Sequence, residues 1–351
     1  MNNIELCNNK IIIRKRKTQY AAFDILCYLL LAVMILCDFR NIFATIDTPA
    51  YFSSYMAARL SSNSLEKTYV LLSILVRNII GDKAGFRVVL IIYSLVSWIL
   101  IKRIMKKTEY PIIALLLWFV ISFKINIAIQ IRSGLATLVM LDSLHDLGVD
   151  WKKHYIKILF AVMIHSSAIL FVFIYPVYYL IKKQNRLFLL ILPLLTIISA
   201  WLFSNSIHIF LTRLLSQNTF GGRIAERFLL FNSAQYLRSY VNPFNRFSLA
   251  IVIIYYLYLY FVGAKPFSEL QIGGLAVMMM SLFCYFFGAK SSPMIAYRYP
   301  EMLNQVLAIM TTGIVVYAKN KKLAVILVFF FIIMAEMHYH NIEYIIQCIM
   351  R

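Results

Sequence analysis

Apolar blocks of roughly 16–21 residues alternate with short polar stretches along most of the chain, the pattern of membrane-crossing helices. Blocks at 20–37, 86–101, 110–124, 127–147, 187–203, 247–262, 269–288, 301–318 and 323–338 predict crossings. Residues 155–181 break the pattern: the stretch is apolar but interrupted by His165-Ser166-Ser167. Lys152, Lys153 and Lys157 precede it, and Lys182, Lys183 and Arg186 follow it. Basic residues mark the cytoplasmic side, so positive charge on both flanks predicts a broken helical hairpin with His165 at its tip. A single crossing is the alternative, and it would carry Lys319, Lys321 and Lys322 to the outer side against that rule.

Two further segments predict membrane association without a full crossing. Residues 67–81 are apolar but short and carry Arg77 in their middle, as an interfacial helix does. Residues 204–246 form the longest polar stretch and predict a large extracytoplasmic loop with helical turns at 207–215 and 225–237. The expectation is an all-α polytopic membrane protein, residues 1–351 forming one integral membrane domain with about nine full transmembrane helices. Residues 1–19 are its basic cytoplasmic amino terminus, and 38–85 an extracytoplasmic loop with the interfacial helix. No internal repeat is visible, which weighs against a transporter built from inverted halves.

Composition agrees. Of 351 residues 62% are apolar and only 14% charged, which excludes an ordinary soluble domain. The first apolar block is long for a signal-peptide core and lacks a small-residue cleavage site, so it is expected to remain as a helix. The five cysteines show no ligand spacing and read as packed thiols. The net charge of +20 lies beside the spans, where it serves orientation and anionic lipid contact, so the bilayer is a partner and nucleic acid is not.

On this topology lysines dominate the cytoplasmic side and arginines the other. Retention of positive charge accounts for the first bias but not the second. Guanidinium binds phosphate through parallel hydrogen bonds, whereas ammonium acts as a hydrated point charge. Arg40, Arg59 and Arg77 belong to the outer set, though any single loop arginine more often pairs with a carboxylate or a headgroup. Arg132, opening the span 127–147, and Arg298, just before the span 301–318, are different. An ionisable group at such depth costs a few kcal/mol unless it faces a polar cavity. Ser133, Gly134 and Ala136 would let a neighbouring helix approach closely beside Arg132.

Asp47 stands before Pro49, a favoured first-turn residue, and a helix from there would place Tyr51, Tyr55 and Arg59 on one face. An ordinary capping carboxylate with an interfacial aromatic face competes evenly with sugar binding at this place. His165 is either a histidine satisfied by a backbone carbonyl at a helix break or a polar group of a site. His145 with Asp142 reads as structural. No phosphate-binding glycine loop, nucleophile elbow or zinc-protease motif occurs, and neither metal nor cofactor is called for.

Several of these segments occur together in a recognisable order. They are Arg40 with Asp47 and Tyr51, Glu66 with Tyr69 before an apolar helix, Ile131-Arg132-Ser133-Gly134-Leu135-Ala136, His165-Ser166-Ser167-Ala168 in an apolar hairpin, and Arg298 before a late span. In that order the chain resembles the EpsG-like branch of the Wzy-type polysaccharide polymerases. Ser133 stands where glutamine is common in such proteins, and the usual glycine before the Asp47 segment is missing.

The resemblance implies a multi-pass enzyme of the bacterial cytoplasmic membrane. It would join undecaprenyl-diphosphate-linked oligosaccharide repeat units on the outer face into O-antigen, capsule or exopolysaccharide. It further implies Arg132 and Arg298 on the diphosphate, Asp47 or His165 orienting or deprotonating the acceptor, and Arg40 and Tyr51 on sugar or phosphate. Its partners would be the lipid-linked oligosaccharides, a flippase that supplies them and a chain-length regulator. A ligase drawing on the same lipid shares this chemistry. A flippase would need charges along a path open to both faces, and an acyltransferase with a cytoplasmic donor would place its histidine near the inner face.

Overall fold

A computed structural model describes residues 2–39, 47–59, 66–216, 241–242, 246–263, 267–291, 293–318 and 320–350. Every regular element among them is helical. In chain order they are α1 (Asn2–Asp38), α2 (Thr48–Met56), α3 (Lys67–Ile80), α4 (Lys83–Lys106), α5 (Pro111–Ser122), a π-helical segment (Phe123–Ile129), α6 (Ile131–Ser143) and α7 (Trp151–Ile164). A 3₁₀ segment (Ser166–Phe173), α8 (Ile174–Lys182), α9 (Arg186–Ser216), α10 (Arg246–Val262) and α11 (Glu269–Ser291) follow. The last four are α12 (Pro293–Leu303), α13 (Gln305–Tyr317), α14 (Lys321–Tyr339) and α15 (Asn341–Met350).

Local chemistry sets several of these boundaries. Pro49 and Pro111 lie in the first turns of α2 and α5, where a missing N–H costs nothing. The Asp150 carboxylate accepts from the N–H groups of Lys152 and Lys153 at 3.1 and 3.2 Å and starts α7. Gly81 ends α3 with φ of 94°, a conformation that suits glycine.

Five helical stretches are long and apolar enough to cross a bilayer: Tyr20–Asp38, Lys83–Lys106, Pro111–Ile129, Arg186–Ser206 and Glu269–Ser291. The bent pair of α14 and α15 makes a sixth if it counts as one span. The nine full crossings expected from the apolar blocks do not appear among the described residues. The block 127–147 opens on the π segment and, past Gln130, holds only the 13 residues of α6; the block 301–318 is divided at Asn304 between α12 and α13. The predicted 67–81 helix is α3. The expected turns at 207–215 continue α9, while those at 225–237 lie outside the described residues.

Two sharp reversals shape the site. After the π segment the chain doubles back at Gln130, so that a Cβ on Gly134 would lie 1.6 Å from the carbonyl oxygen of Asn126. A continuous helix would hold residues eight apart at about 12 Å along its axis. Buried Asn341 serves the wider π turn: it donates to Val120 O at 2.8 Å and accepts from Lys124 N at 2.9 Å. The second reversal is at His165, whose backbone is extended. From there the 3₁₀ segment runs back along α7, bringing the rings of Tyr155 and Tyr175 to 5.7 Å and Tyr155 Oη to 3.5 Å from Val172 O.

Candidate functional site

The two reversals put the first turn of α6 and the last of α7 at the same end of the bundle. At the opposite end of these helices, Asp142 and Asp146 accept from Lys157 at 2.6 Å each, and Arg103 reaches Asp142 at 3.0 Å. The helices α6 and α7 have 13 and 14 residues. Each is about 20 Å long, shorter than a bilayer's hydrocarbon core of about 30 Å. The helices α2 and α3 pack over the Arg132–His165 end.

Glu66, the residue before α3, occupies the centre of that end and is buried. Its Oε2 accepts from Arg132 Nη1 and its Oε1 from His165 Nδ1 at 2.8 Å. Ser166 adds contacts to Oε1 from its N–H at 3.4 Å and its hydroxyl at 3.3 Å. Burial by itself pushes the Glu66 carboxyl up. The His165 hydrogen bond and the Arg132 charge outweigh it and hold the carboxyl at about 2, so Glu66 is an anion. Because a carboxylate can only accept, His165 Nδ1 carries the hydrogen, and the lone pair of the neutral ring lies on Nε2.

Arg132 is clamped between aromatic faces. Its guanidinium carbon lies 4.5 Å from the ring centre of Tyr51 and 4.6 Å from that of Tyr69. Tyr69 Oη donates to Tyr51 O at 2.7 Å, which fixes α2 on α3. Burial pushes the Tyr51 hydroxyl up to about 12, so it stays protonated at neutral pH. Buried Arg132 Nε–H meets no acceptor among the described residues.

A second group lies beside the first. Arg298 on α12 is half exposed, with its Nη2 3.8 Å from Asp47 Oδ1. Glu301, one turn on, accepts at Oε2 from Gln130 Nε2 at 3.2 Å, and its carbonyl accepts from Asn126 Nδ2 at 3.2 Å. Ser133 Oγ supports Gln130 by donating to its Oε1 at 3.1 Å. The fields of Arg132, Asp47 and Arg298 all reach Tyr51, which links the buried cluster to this half-wet rim.

Of the residues singled out in the sequence, the fold brings Asp47, Tyr51, Arg132, His165 and Arg298 together at this end. Arg40 lies outside the described residues. Asp47 precedes α2 without capping it, its carboxylate facing Arg298 instead. Tyr51 is buried under a guanidinium, so its ring holds Arg132 and offers no open face. Arg59 falls beyond the end of α2 and is exposed. Arg77 is structural: its guanidinium donates to the carbonyls of Tyr55 at 3.1 Å and Ala58 at 2.9 Å, where α2 ends. Glu66 entered the sequence reading as one of the residues carrying the resemblance, with no role given to it, and Gln130 and Glu301 were given none either. Glu301 carried a usable signal, an acid at the mouth of an apolar block.

The cluster offers a buried guanidinium with a spare donor, an imidazole with a free lone pair at Nε2, and a second arginine at the wet rim. Those parts suit an anionic oxygen compound and a hydroxyl that must lose a proton. No curated protein and no solved structure matches the chain significantly. Residues 22–350 match the EpsG family across nearly the whole length, and the chain is a multi-pass membrane protein of that family.

Proposed function

We propose that this protein is a glycosyltransferase-type polymerase that joins undecaprenyl-diphosphate-linked oligosaccharide units on the outer face of the cytoplasmic membrane. The observation that carries the reading is the shared carboxylate of Glu66, which sets His165 as a base beside a buried arginine. The resemblance of the sequence to Wzy-type polymerases supplies the substrate class, and family membership supports it.

In this reaction the acceptor unit's hydroxyl gives its proton to His165 Nε2 as its oxygen bonds to the anomeric carbon of the growing chain. The bond from that carbon to the diphosphate breaks, and the electron pair leaves with undecaprenyl diphosphate. Arg132, through Nε–H and the rest of its fork, and Arg298 at the rim stabilise the charge that builds on the diphosphate. Such charge stabilisation is worth most in a partly dry site. The leaving group is a good one, so no acid is needed to protonate it, unlike the two-carboxylate hydrolysis of ordinary glycosides. Asp47 and Glu301 supply acceptors for sugar hydroxyls beside Arg298.

The test is a deletion strain analysed for lipid-linked glycans. Single repeat units displayed on the outer face with no long chains support a polymerase. Completed polymer left on its lipid indicates the ligase, and units trapped on the cytoplasmic face indicate a flippase and contradict the proposal.

A further inference from the structure

Glu66 uses both carboxylate oxygens on different partners, Oε2 on Arg132 and Oε1 on His165. Those partners have different tasks in the reaction above, one facing the leaving group and one facing the acceptor hydroxyl. We propose that Glu66 couples them, so that a diphosphate taking Arg132 releases the carboxylate's charge onto His165 and arms the base only when the donor is in place. The inference rests on the glycosyl-transfer reading of the same site.

The argument is one of charge. When the His165 ring is neutral, cationic Arg132 and anionic Glu66 leave the cluster without net charge. Arg132 can bind a phosphate oxygen strongly only by sharing or surrendering its contact with Glu66, since a guanidinium saturated by one carboxylate gains little from another anion. Whatever Glu66 loses at Oε2 is offset most directly at Oε1, where the imidazole already donates at 2.8 Å. An imidazolium on Nδ1 is then stabilised by the carboxylate, which Ser166 also contacts at Oε1, and by the incoming diphosphate. By linkage, the same coupling runs in reverse: protonation of His165 favours diphosphate on Arg132.

Among the described residues the groups that face His165 are these. Of the elements packed on α7 and the 3₁₀ segment, α3 brings Glu66 and Tyr69, and α6 brings Arg132. Tyr51 and Tyr93 interact electrostatically with that pair from α2 and α4. Across the cluster, α12 carries Arg298 and Glu301, with Asp47 beside them. On α8, Lys182 lies near the far end, held by Glu269 at 2.6 Å. Among the described residues Glu66 is the carboxylate in direct contact with the ring.

Proton uptake on binding reads this coupling directly. The probe is a diphosphate diester bearing one undecaprenyl and one methyl group, which keeps two negative charges throughout and cannot itself take a proton. Its binding to the purified full-length protein is followed by calorimetry near pH 7 in buffers of different ionisation heat. The wild type is expected to take up a fraction of a proton per probe bound. Glu66→Gln is expected to lose that uptake while binding the probe at least as tightly, because Arg132 has been freed; His165→Asn is expected to lose it as well.

A purely structural Glu66 would weaken binding in the glutamine variant and leave uptake by the folded fraction intact, which overturns the proposal. Zero uptake by the wild type overturns it too, and needs no variant to fold. Should the wild type bind the probe without uptake yet extend lipid-linked chains, the coupling alone is wrong. A wild type that neither binds the probe nor extends chains removes the underlying reading and this inference together.

Discussion

His165 and Glu66, 99 residues apart in sequence, meet at 2.8 Å through Nδ1 and Oε1 where α2 and α3 cover the ends of α6 and α7. The contact ties the tip of the α7 hairpin to the start of α3, and Arg132 closes it from α6. It fixes the ring's tautomer and gives the buried guanidinium its counter-charge with one carboxylate.

The carboxyl of Glu66 is held at about 2, below its ordinary 4.5, by His165 and Arg132 against the opposing effect of burial. A lowered folded-state value means stability that is complete above pH 4.5 and lost as pH falls toward 2. The contribution is on the order of 3 kcal/mol. Thermal unfolding in detergent should show a falling midpoint across that acid window and little Glu66-dependent change between pH 5 and 8. The Glu66→Gln variant should lack this part of the acid loss; an identical acid profile in both proteins would refute the pairing.

Removing one member of the buried pair differs from removing both. Arg132→Ala strands a buried carboxylate and should cost about 3–5 kcal/mol, whereas the double change Arg132→Gln with Glu66→Gln should recover most of that stability. Chain growth should be absent in both. Recovery of activity in the stable double variant would mean that the charges serve folding alone.

Gly134 lies where the chain reverses, and a Cβ there would meet backbone on the π segment, which cannot swing aside as a side chain can. Gly134→Ala should therefore cost at least about 1–3 kcal/mol, the usual range for overpacking. A melting temperature equal to wild type would show that the π segment shifts freely, and with it Asn126 and Gln130.

Arg298 is half exposed and only loosely paired with Asp47 at 3.8 Å. Arg298→Ala should change stability by less than about 0.5 kcal/mol. It should still lower the rate of chain growth by about 10–100-fold, the loss expected for one charge-assisted contact to a leaving group. Lysine should rescue poorly, because it lacks the planar fork. Wild-type rates in the alanine variant would remove Arg298 from the diphosphate site.

The sequence displayed Arg132 and His165 because each interrupts an apolar run, and depth in a membrane makes a polar residue conspicuous. The hairpin tip at His165 was legible for a similar reason, since lysines flank the stretch on both sides and the chain does reverse there. Glu66 was visible only as part of the resemblance and its role was hidden: it stands in a polar loop where any acid looks solvated, and only a contact across 99 residues reveals its place. The shortness of α6 and the division at Asn304 were hidden as well. Hydropathy records that residues are apolar, and it does not record where a helix turns back. Tyr51 was ambiguous for another reason, because an interfacial tyrosine and one buried beneath a guanidinium share the same helical spacing.

The most direct measurement is chain growth by the purified protein in liposomes supplied with its lipid-linked repeat unit, read as a ladder of glycan lengths. The account predicts a ladder and released undecaprenyl diphosphate with the wild type, neither with His165→Asn, and growth slowed by about 10–100-fold with Arg298→Ala at equal protein level. A ladder of wild-type intensity from His165→Asn would contradict it.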